Sequence, residues 1–262
     1  MNKYITIAIL ALAFTYGCSS SNAQTNNIQE TVVTFIVDCS DADLFETINQ
    51  DFHSNLNTFF QESGLGLNQL EFGQKLTVKM APIIESGEFS SKKASIALTK
   101  RGISKREESA LRDTRPLLQL ISTELDAYKT LSMSNMKTSP ILETLLKAFK
   151  ETQTEAKLNI VVVLTDGIEH SLNINMYKSI PITDEAIDKM VNKLDPILWQ
   201  DATNSLKKSA STIVIIVLKK SEKAKTSDLK QFYSKLFVKL GIRPSNIVFL
   251  DNLGNNFNIQ KP

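Results

Sequence analysis

Three apolar runs rich in β-branched residues constrain the fold of this chain more than any other feature. They are TVVTFIV at residues 31–37, LNIVVVL at 158–164 and TIVIIVL at 212–218. Nearly continuous apolar strands are typical of a parallel sheet that is covered on both faces. Segments with helical spacing of apolar residues separate the three runs. We therefore predict an α/β three-layer sandwich, with a mostly parallel central sheet and helices on both faces.

Weaker patterns complete the predicted order of elements. Further strands are predicted at residues 76–83, 93–99 and 246–250. Apolar spacing predicts helices over residues 41–63, 104–131, 141–149, 186–209 and 228–240. Pro116 and Pro196 are each expected to break or kink a helix. Thr183 is expected to cap a helix start, and Gly241 to end the last helix.

The N-terminus has the pattern of a bacterial export signal. One lysine precedes an apolar run at residues 5–14, which is shorter than the roughly 20 residues of a transmembrane helix. Gly17-Cys18 and the polar stretch after them resemble the lipobox of exported lipoproteins. The resemblance implies removal of residues 1–17 and a lipid on Cys18, which anchors the chain in the cell envelope, facing the periplasm or the cell surface. The alternative is ordinary cleavage near Ala23, which releases a soluble protein.

A single domain accounts for most of the chain. Residues 18–29 are predicted to be a flexible tether and residues 30–262 the domain. The hydrophobic fraction of 42% and the charged fraction of 22% are those of a globular protein. A formal net charge of +2 gives no electrostatic argument for nucleic-acid binding. With lipid on Cys18, Cys39 is the remaining thiol, so no internal disulfide is expected.

Oxygen-bearing side chains follow two of the apolar strands. Asp38 and Ser40 come after the first strand, and Thr165-Asp166-Gly167 follows the second. Ligands bind outside the carboxyl ends of strands in open α/β sheets, so these residues are candidates for one site. Carboxylates and hydroxyls suit Mg²⁺, Mn²⁺ or Ca²⁺. The two histidines, His53 and His170, are far apart in sequence, which argues against a zinc site.

Ordinary structural roles are the alternative at each position. Asp38 could cap the helix that follows it, since a carboxylate near a helix start accepts backbone N–H bonds. Residues 165–167 could be a plain turn, where Asp-Gly is common. Cys39 is expected to be a small buried apolar residue and not a nucleophile.

The first strand with Asp38 and Ser40, taken together with VVVLTDG at residues 161–167, resembles the von Willebrand factor type A (vWA) family. The metal-ion-dependent adhesion site of that family has a D-x-S-x-S motif, a threonine in a later loop and an aspartate after the fourth strand. Asp38 and Ser40 match the start of the motif, and Ala42 stands where its last serine would be. Asp166 matches the later aspartate.

A further segment, TSPILETL at residues 138–145, resembles the loop and helix that carry the family's threonine. Ser139 then stands in the place of the ligating threonine, with Thr138 as a substitute ligand. The resemblance implies that Asp38, Ser40 and Ser139 hold a divalent cation and that Asp166 acts directly or through water. In place of the hydroxyl that Ala42 lacks, a water, Asp41 or Asp43 is expected to complete the shell.

The resemblance implies a binding protein and not an enzyme. The cation keeps one position open, and an acidic residue of a protein partner fills it. The polar segment between Asp166 and Thr183 is expected to form part of the recognition surface. One alternative is a structural, metal-free vWA-like component of an envelope assembly. A second is a Mg²⁺-dependent Rossmann-like phosphatase of the haloacid dehalogenase type, with Asp38 as nucleophile, Thr165 and Asp251 as later site residues, and Ser40 in place of that family's second aspartate.

Overall fold

A computed structural model describes residues 29–65, 74–85, 89–97, 106–134 and 136–255, with the backbone alone described for 106–114. The predicted signal, Cys18 and all of the tether before Gln29 lie outside these ranges. Within them, no helix combines the length and the apolar character that crossing a bilayer requires.

The described residues form a six-stranded sheet with the order β3-β2-β1-β4-β5-β6. Its neighbouring strands run parallel except for β2 and β3, which are antiparallel. The predicted mostly parallel sheet is therefore confirmed. The strands are β1 Gln29–Asp38, β2 Gln74–Ile83, β3 Lys92–Ala97, β4 Leu158–Thr165, β5 Thr212–Leu218 and β6 Ile247–Leu250.

Helices cover both faces of the sheet, which confirms the three-layer α/β sandwich. Side chains of α1 and α2 share one apolar cluster with one face of the strands, and those of α3 to α6 share a second cluster with the other face. The strands β1, β4 and β5 are buried on both sides, which explains their nearly continuous apolar sequences. The helices are α1 Ala42–Glu62, α2 Arg106–Ser132, α3 Ile141–Lys150, α4 Asp184–Val191, α5 Pro196–Lys208 and α6 Thr226–Lys239.

Proline has different effects at its two helical positions. The predicted break at Pro196 is confirmed, because α5 begins there, with Asp195 accepting backbone N–H bonds at its start. A break or a kink was expected at Pro116; the break is wrong, because α2 continues through this residue. Burial of Leu117, Ile121 and other α2 side chains against the sheet offsets the lost backbone hydrogen bond.

The remaining boundary predictions are mostly confirmed. Thr183 caps α4 by accepting the N–H of Ala186 at 3.2 Å. Gly241 follows α6 with a φ of +96°, a conformation that favours glycine. Asn246 was predicted to begin the last strand but belongs to a short 3₁₀ turn, Pro244–Asn246, that Pro244 starts.

The strand order reverses direction between β1 and β4. From β1 the chain proceeds to β2 on one side of the sheet, and from β4 it proceeds to β5 on the other. The two strands pair in parallel, with Val37 opposite Leu164, so their carboxyl ends lie side by side. The loops that leave these ends diverge and open a crevice, the usual place for a ligand in such sheets.

Candidate functional site

Asp38 is the last residue of β1, and its carboxylate lies fully buried at the crevice, with an exposed fraction of 0%. It accepts hydrogen bonds from the Thr165 hydroxyl at 2.6 Å, from the Ser40 N–H at 3.0 Å and from the Ser139 hydroxyl at 3.3 Å. Burial raises the pKa of Asp38 above its ordinary value, although these hydrogen bonds oppose the shift. The carboxylate is thus held in one orientation by three chain segments.

The helix after β1 is capped by a different residue. One carboxylate oxygen of Asp41 accepts the N–H groups of Asp43 and Leu44, each at 2.9 Å. Asp41 is therefore the N-cap of α1 and accepts the N–H groups that have no partner within the helix. The alternative that Asp38 caps this helix is wrong, and its oxygens point instead to Ser139 and Thr165.

Asp166 follows the end of β4 in a tight turn. Its carboxylate accepts the Ile168 N–H at 2.9 Å, and Gly167 has a φ of +79°. Burial raises the pKa of Asp166 to about 6, and the negative charges of Asp38 and Asp41 add to the shift. The segment is therefore both a turn and part of the site, since the turn directs a second carboxylate to the crevice beside Asp38.

Ser139 lies just before α3 and is buried in the same place. Its backbone forms a short bridge with His170, in which the Ser139 N–H donates at 2.6 Å and its carbonyl accepts at 3.1 Å. Thr138, the expected substitute ligand, lines the crevice next to it. The structure thus brings together the four residues expected to bind a cation, which are Asp38, Ser40, Ser139 and Asp166.

These residues form the floor of a cleft of about 500 Å³. Ser40, Ser139 and Asp166 line its surface, and Asp38 lies beneath them. Ala42 is exposed at the first turn of α1 and contributes no oxygen from its side chain. The other lining residues are Asp41, Asp43, Leu44, Thr47, Met136, Lys137, Thr138, His170, Tyr177, Lys219, Lys220, Ser221 and Lys223.

The chemistry of this donor set fits a hard divalent cation. In the part of the chain that the structure describes, no three His, Cys, Asp or Glu side chains group closely enough to hold a metal ion by themselves. A cation at this place would need the hydroxyls as well as Asp38 and Asp166. Among the described residues no lysine or arginine forms an ion pair with either aspartate. Asp38 is fully buried and Asp166 half-buried, and the charge of Lys223 opposes the rise in the pKa of Asp166. A divalent cation would supply further compensating charge to both carboxylates.

The rim of the cleft is built from the segment after Asp166. Ile168, Ile174 and Met176 are buried and fix this segment to the domain. The His170 and Tyr177 rings meet edge to face, with centroids 5.4 Å apart. The role of this segment in partner recognition stays a prediction, and its position at the cleft agrees with that role.

Glu169 is a buried carboxylate that the sequence did not single out. Its exposed fraction is 1%, and it accepts the N–H of Leu142, in the first turn of α3, at 2.8 Å. Pro140 precedes α3 and offers no side-chain cap. Burial raises the pKa of Glu169 to about 7, and the N–H bonds oppose this rise. The one signal in the sequence for such a residue was Pro140 at the start of α3, since a helix without its own cap needs an acceptor from elsewhere in the chain.

Lys219 and Asp51 form a buried ion pair next to the cleft, with 2.5 Å between the ammonium nitrogen and a carboxylate oxygen. Asp51 also accepts the Leu253 N–H at 3.1 Å. The pair connects the end of β5 to α1 and to the segment after β6. Cys39 is buried as expected, and its thiol donates to the Val37 carbonyl.

No protein-family model matches the chain, and no curated protein matches it significantly in sequence. Any family relationship therefore rests on the motif and on the geometry of the site.

Proposed function

We propose that this chain is a vWA-like binding domain of a bacterial envelope lipoprotein, which captures a protein partner through a divalent cation. The single observation that supports this most is the convergence of Asp38, Ser40, Ser139 and Asp166 at the crevice between β1 and β4. Asp38 and Ser139 are 101 residues apart in the chain yet share hydrogen bonds. Residues of the expected types thus meet where sheets of this class bind ligands.

In this proposal the buried Asp38 supplies the main negative charge. The Ser40 and Ser139 hydroxyls would be further ligands, and Asp166 would bind directly or through a water. Thr165 and the Ser40 N–H keep the Asp38 carboxylate in place through their hydrogen bonds. Bound Mg²⁺, Mn²⁺ or Ca²⁺ would offer an open coordination position to a carboxylate of the partner. Binding would then depend on both the cation and an acidic residue of the partner.

Catalysis by a phosphatase mechanism has less support. A nucleophilic Asp38 would have to reach a phosphorus atom, but the side chain is fully buried and bound to two hydroxyls. Ser40 stands where the acid–base aspartate would be needed, and a serine hydroxyl transfers protons poorly near neutral pH. The exposed Asp251 is not among the residues that line the cleft. We therefore propose a non-enzymatic role.

Calorimetric titration of the protein without its signal tests the cation site. We expect Mg²⁺, Mn²⁺ or Ca²⁺ to bind at one site, and Asp38→Asn to weaken binding at least about tenfold, since a charge-bearing ligand is lost. Ser139→Ala repeats the test with a smaller structural risk, and circular dichroism verifies folding. Asp126→Asn is the matched control, because it removes the same charge from an exposed position of α2. A well-folded protein that binds none of the three ions would contradict the site and favour the metal-free structural role.

Lipid anchoring is tested separately by Cys18→Ser in cells. We expect the native chain to fractionate with membranes and to incorporate labelled fatty acid, and the variant to do neither. Incorporation of no lipid by the native chain would contradict the anchoring and support ordinary signal cleavage.

A further inference from the structure

Three exposed lysines line the cleft. They are Lys137, before α3, and Lys220 and Lys223, in the loop between β5 and α6. Among the described residues, no ion pair joins any of them to a carboxylate. Many lysines elsewhere are paired, and examples on the helices are Lys147, Lys150, Lys189, Lys235 and Lys239. Within the part of the chain that the structure describes, none of these three ammonium groups is therefore held in an ion pair, which leaves them available to an anionic ligand.

The charges of the cleft make an anion's affinity depend on the cation. The lining aspartates, Asp41, Asp43 and Asp166, balance Lys137, Lys220 and Lys223, because Lys219 is neutralised by Asp51. The buried Asp38 beneath them adds one negative charge, so without a cation the site has a formal charge of about −1. A divalent ion on its floor would leave about one net positive formal charge, which attracts an anionic ligand over about a Debye length.

The lysine loop is held against the same segment that builds the site. The Lys223 ammonium lies 5.2 Å from the centre of the Tyr177 ring, and Tyr177 packs edge to face on His170. His170 in turn forms the backbone bridge with Ser139. Lys219, at the start of the loop, donates its backbone N–H to the Thr165 carbonyl at 2.9 Å. Lys223 is therefore positioned relative to the cation floor by a continuous set of contacts, and the loop that carries it is fixed at its start by Lys219.

We propose that the partner contributes an acidic peptide segment with several carboxylates. One carboxylate meets the cation, and in that respect the proposal rests on the proposed function. The others meet Lys137, Lys220 and Lys223 along the rim. A nucleic acid fits less well, because it needs an extended basic surface and the chain has a formal net charge of only +2. A flat anionic membrane fits less well, because the lysines share a concave site with Asp41 and Asp43.

Fluorescence anisotropy with a labelled hexaglutamate peptide tests this proposal. The variant Lys137→Gln/Lys220→Gln/Lys223→Gln is compared with Lys157→Gln/Lys207→Gln/Lys208→Gln, which removes the same charge from exposed positions outside the cleft. In Mg²⁺ and low salt, we expect the cleft variant to bind the peptide about tenfold more weakly than the native chain, and the control variant to bind within about twofold. EDTA should weaken binding of hexaglutamate to the native chain, because it removes the cation. A hexaglutamine peptide should not bind, because it carries no carboxylates on its side chains.

Calorimetry on the same variants separates this proposal from the function on which it rests. The cleft variant should bind the cation at least as well as the native chain, because removing positive charge does not weaken attraction for a cation. Equal peptide affinity in the native chain and both variants would overturn the lysine contact and leave the cation site standing. If the native chain bound no cation, the proposed function would fail, and loss of peptide binding in the cleft variant in EDTA would still support the lysine contact.

Discussion

At the scale of single residues, the site depends on how Asp38 is stabilised. A buried carboxylate needs either strong donors or a counter-charge, since transfer of an ion out of water is costly. The Thr165 hydroxyl is a close donor at 2.6 Å, but the Ser139 hydroxyl is 3.3 Å away from both carboxylate oxygens. The Ser40 N–H also donates, at 3.0 Å, but all of these donors are neutral groups and none of them supplies a positive charge. A bound cation would provide the missing stabilisation, and Ser139 could then serve as its ligand.

The serine-to-alanine difference at residue 42 should limit the cation's affinity. Ala42→Ser restores a hydroxyl at the position where the vWA-type motif has one. We expect this variant to bind Mg²⁺ several-fold more tightly, because one oxygen ligand replaces a water. Calorimetry measures the change, and Ala127→Ser, at an exposed position in α2, is the control. Equal affinities in Ala42→Ser and the native chain would show that this position does not face the cation.

Two glycines with positive φ should respond differently to alanine. At Gly241 a Cβ atom would meet nothing within 4 Å, so Gly241→Ala should cost about 1 kcal/mol of left-handed backbone strain. At Gly167 a Cβ atom would lie 2.8 Å from a methyl carbon of Leu218. Gly167→Ala should therefore cost at least about 2 kcal/mol, because overpacking adds to the strain. Urea denaturation compares the two, and equal losses would contradict the close contact at Gly167.

At the scale of elements, α3 depends on a cap from another part of the chain. The N–H groups of its first turn have no acceptor within the helix, and Pro140 supplies no side-chain acceptor. Glu169 approaches from the segment after β4 and accepts the Leu142 N–H. The same segment bridges to Ser139 through His170. The element that carries Ser139 is thus fixed by the loop that also carries Asp166, which keeps the two halves of the site together.

The capping carboxylate should make stability depend on pH. The pKa of Glu169 is about 7 in the folded chain, above the ordinary value of 4.5, so protonated Glu169 favours folding. Its contribution is fully present below about pH 4.5 and is lost as the pH rises through about 7. Glu169→Gln does not titrate. Its free energy of unfolding relative to the native chain should therefore increase between pH 5 and pH 8, by up to roughly 3 kcal/mol.

Denaturant unfolding at several pH values measures this difference. Glu155→Gln is the control, because Glu155 is an exposed glutamate near the start of β4. Native and Glu169→Gln curves that stay parallel over this pH range would contradict the raised pKa.

Some of these elements could be predicted from sequence because their signal is local. The strands β1, β4 and β5 are continuous apolar runs, and Thr183 and Pro196 mark helix starts through their own chemistry. The direction of β3 could not be predicted, since alternation gives a strand but not its orientation. Continuation of α2 through Pro116 and the cap from Glu169 depend on tertiary contacts, which no local pattern encodes.

At the scale of the whole molecule, a buried ion pair joins three distant parts of the chain. Asp51 in α1 contacts Lys219 after β5 and the Leu253 N–H after β6. Asn55, one turn along α1, also donates to Asp51 at 2.7 Å. The pair thus links α1 to the segments after β5 and β6, and it neutralises the charge of Lys219 at the cleft.

Breaking this pair should be among the most destabilising single polar changes. Asp51→Asn leaves the Lys219 ammonium buried without a counter-charge and should cost about 3–5 kcal/mol. Asp201→Asn breaks the exposed pair between Asp201 and Lys150 and should cost far less, because solvent screens this pair. Urea unfolding provides both values. Similar losses of unfolding free energy in the two variants would contradict a larger contribution of the buried Asp51–Lys219 pair to stability.

The place of the site in the whole molecule follows from the strand order. The crevice between β1 and β4 could be expected from sequence, because Asp38 and Asp166 each follow an apolar strand. The neighbouring lysines and the partnership of Lys219 with Asp51 could not, since these residues meet only in the folded chain. The strand β1 begins at Gln29, and Asp38 follows nine residues later at its other end. The amino end of β1 therefore lies roughly 30 Å from the site.

Crystals of the protein grown with Mn²⁺ would test the cation site most directly, through the anomalous scattering of the metal. The account predicts one strong anomalous peak at the crevice between β1 and β4. The peak should lie within about 2.6 Å of oxygens from Asp38, Ser40 and Ser139, with Asp166 bound directly or through a water. A well-ordered crevice with no peak at millimolar Mn²⁺, or a peak held by other residues, would contradict the cation-dependent binding proposed for this domain.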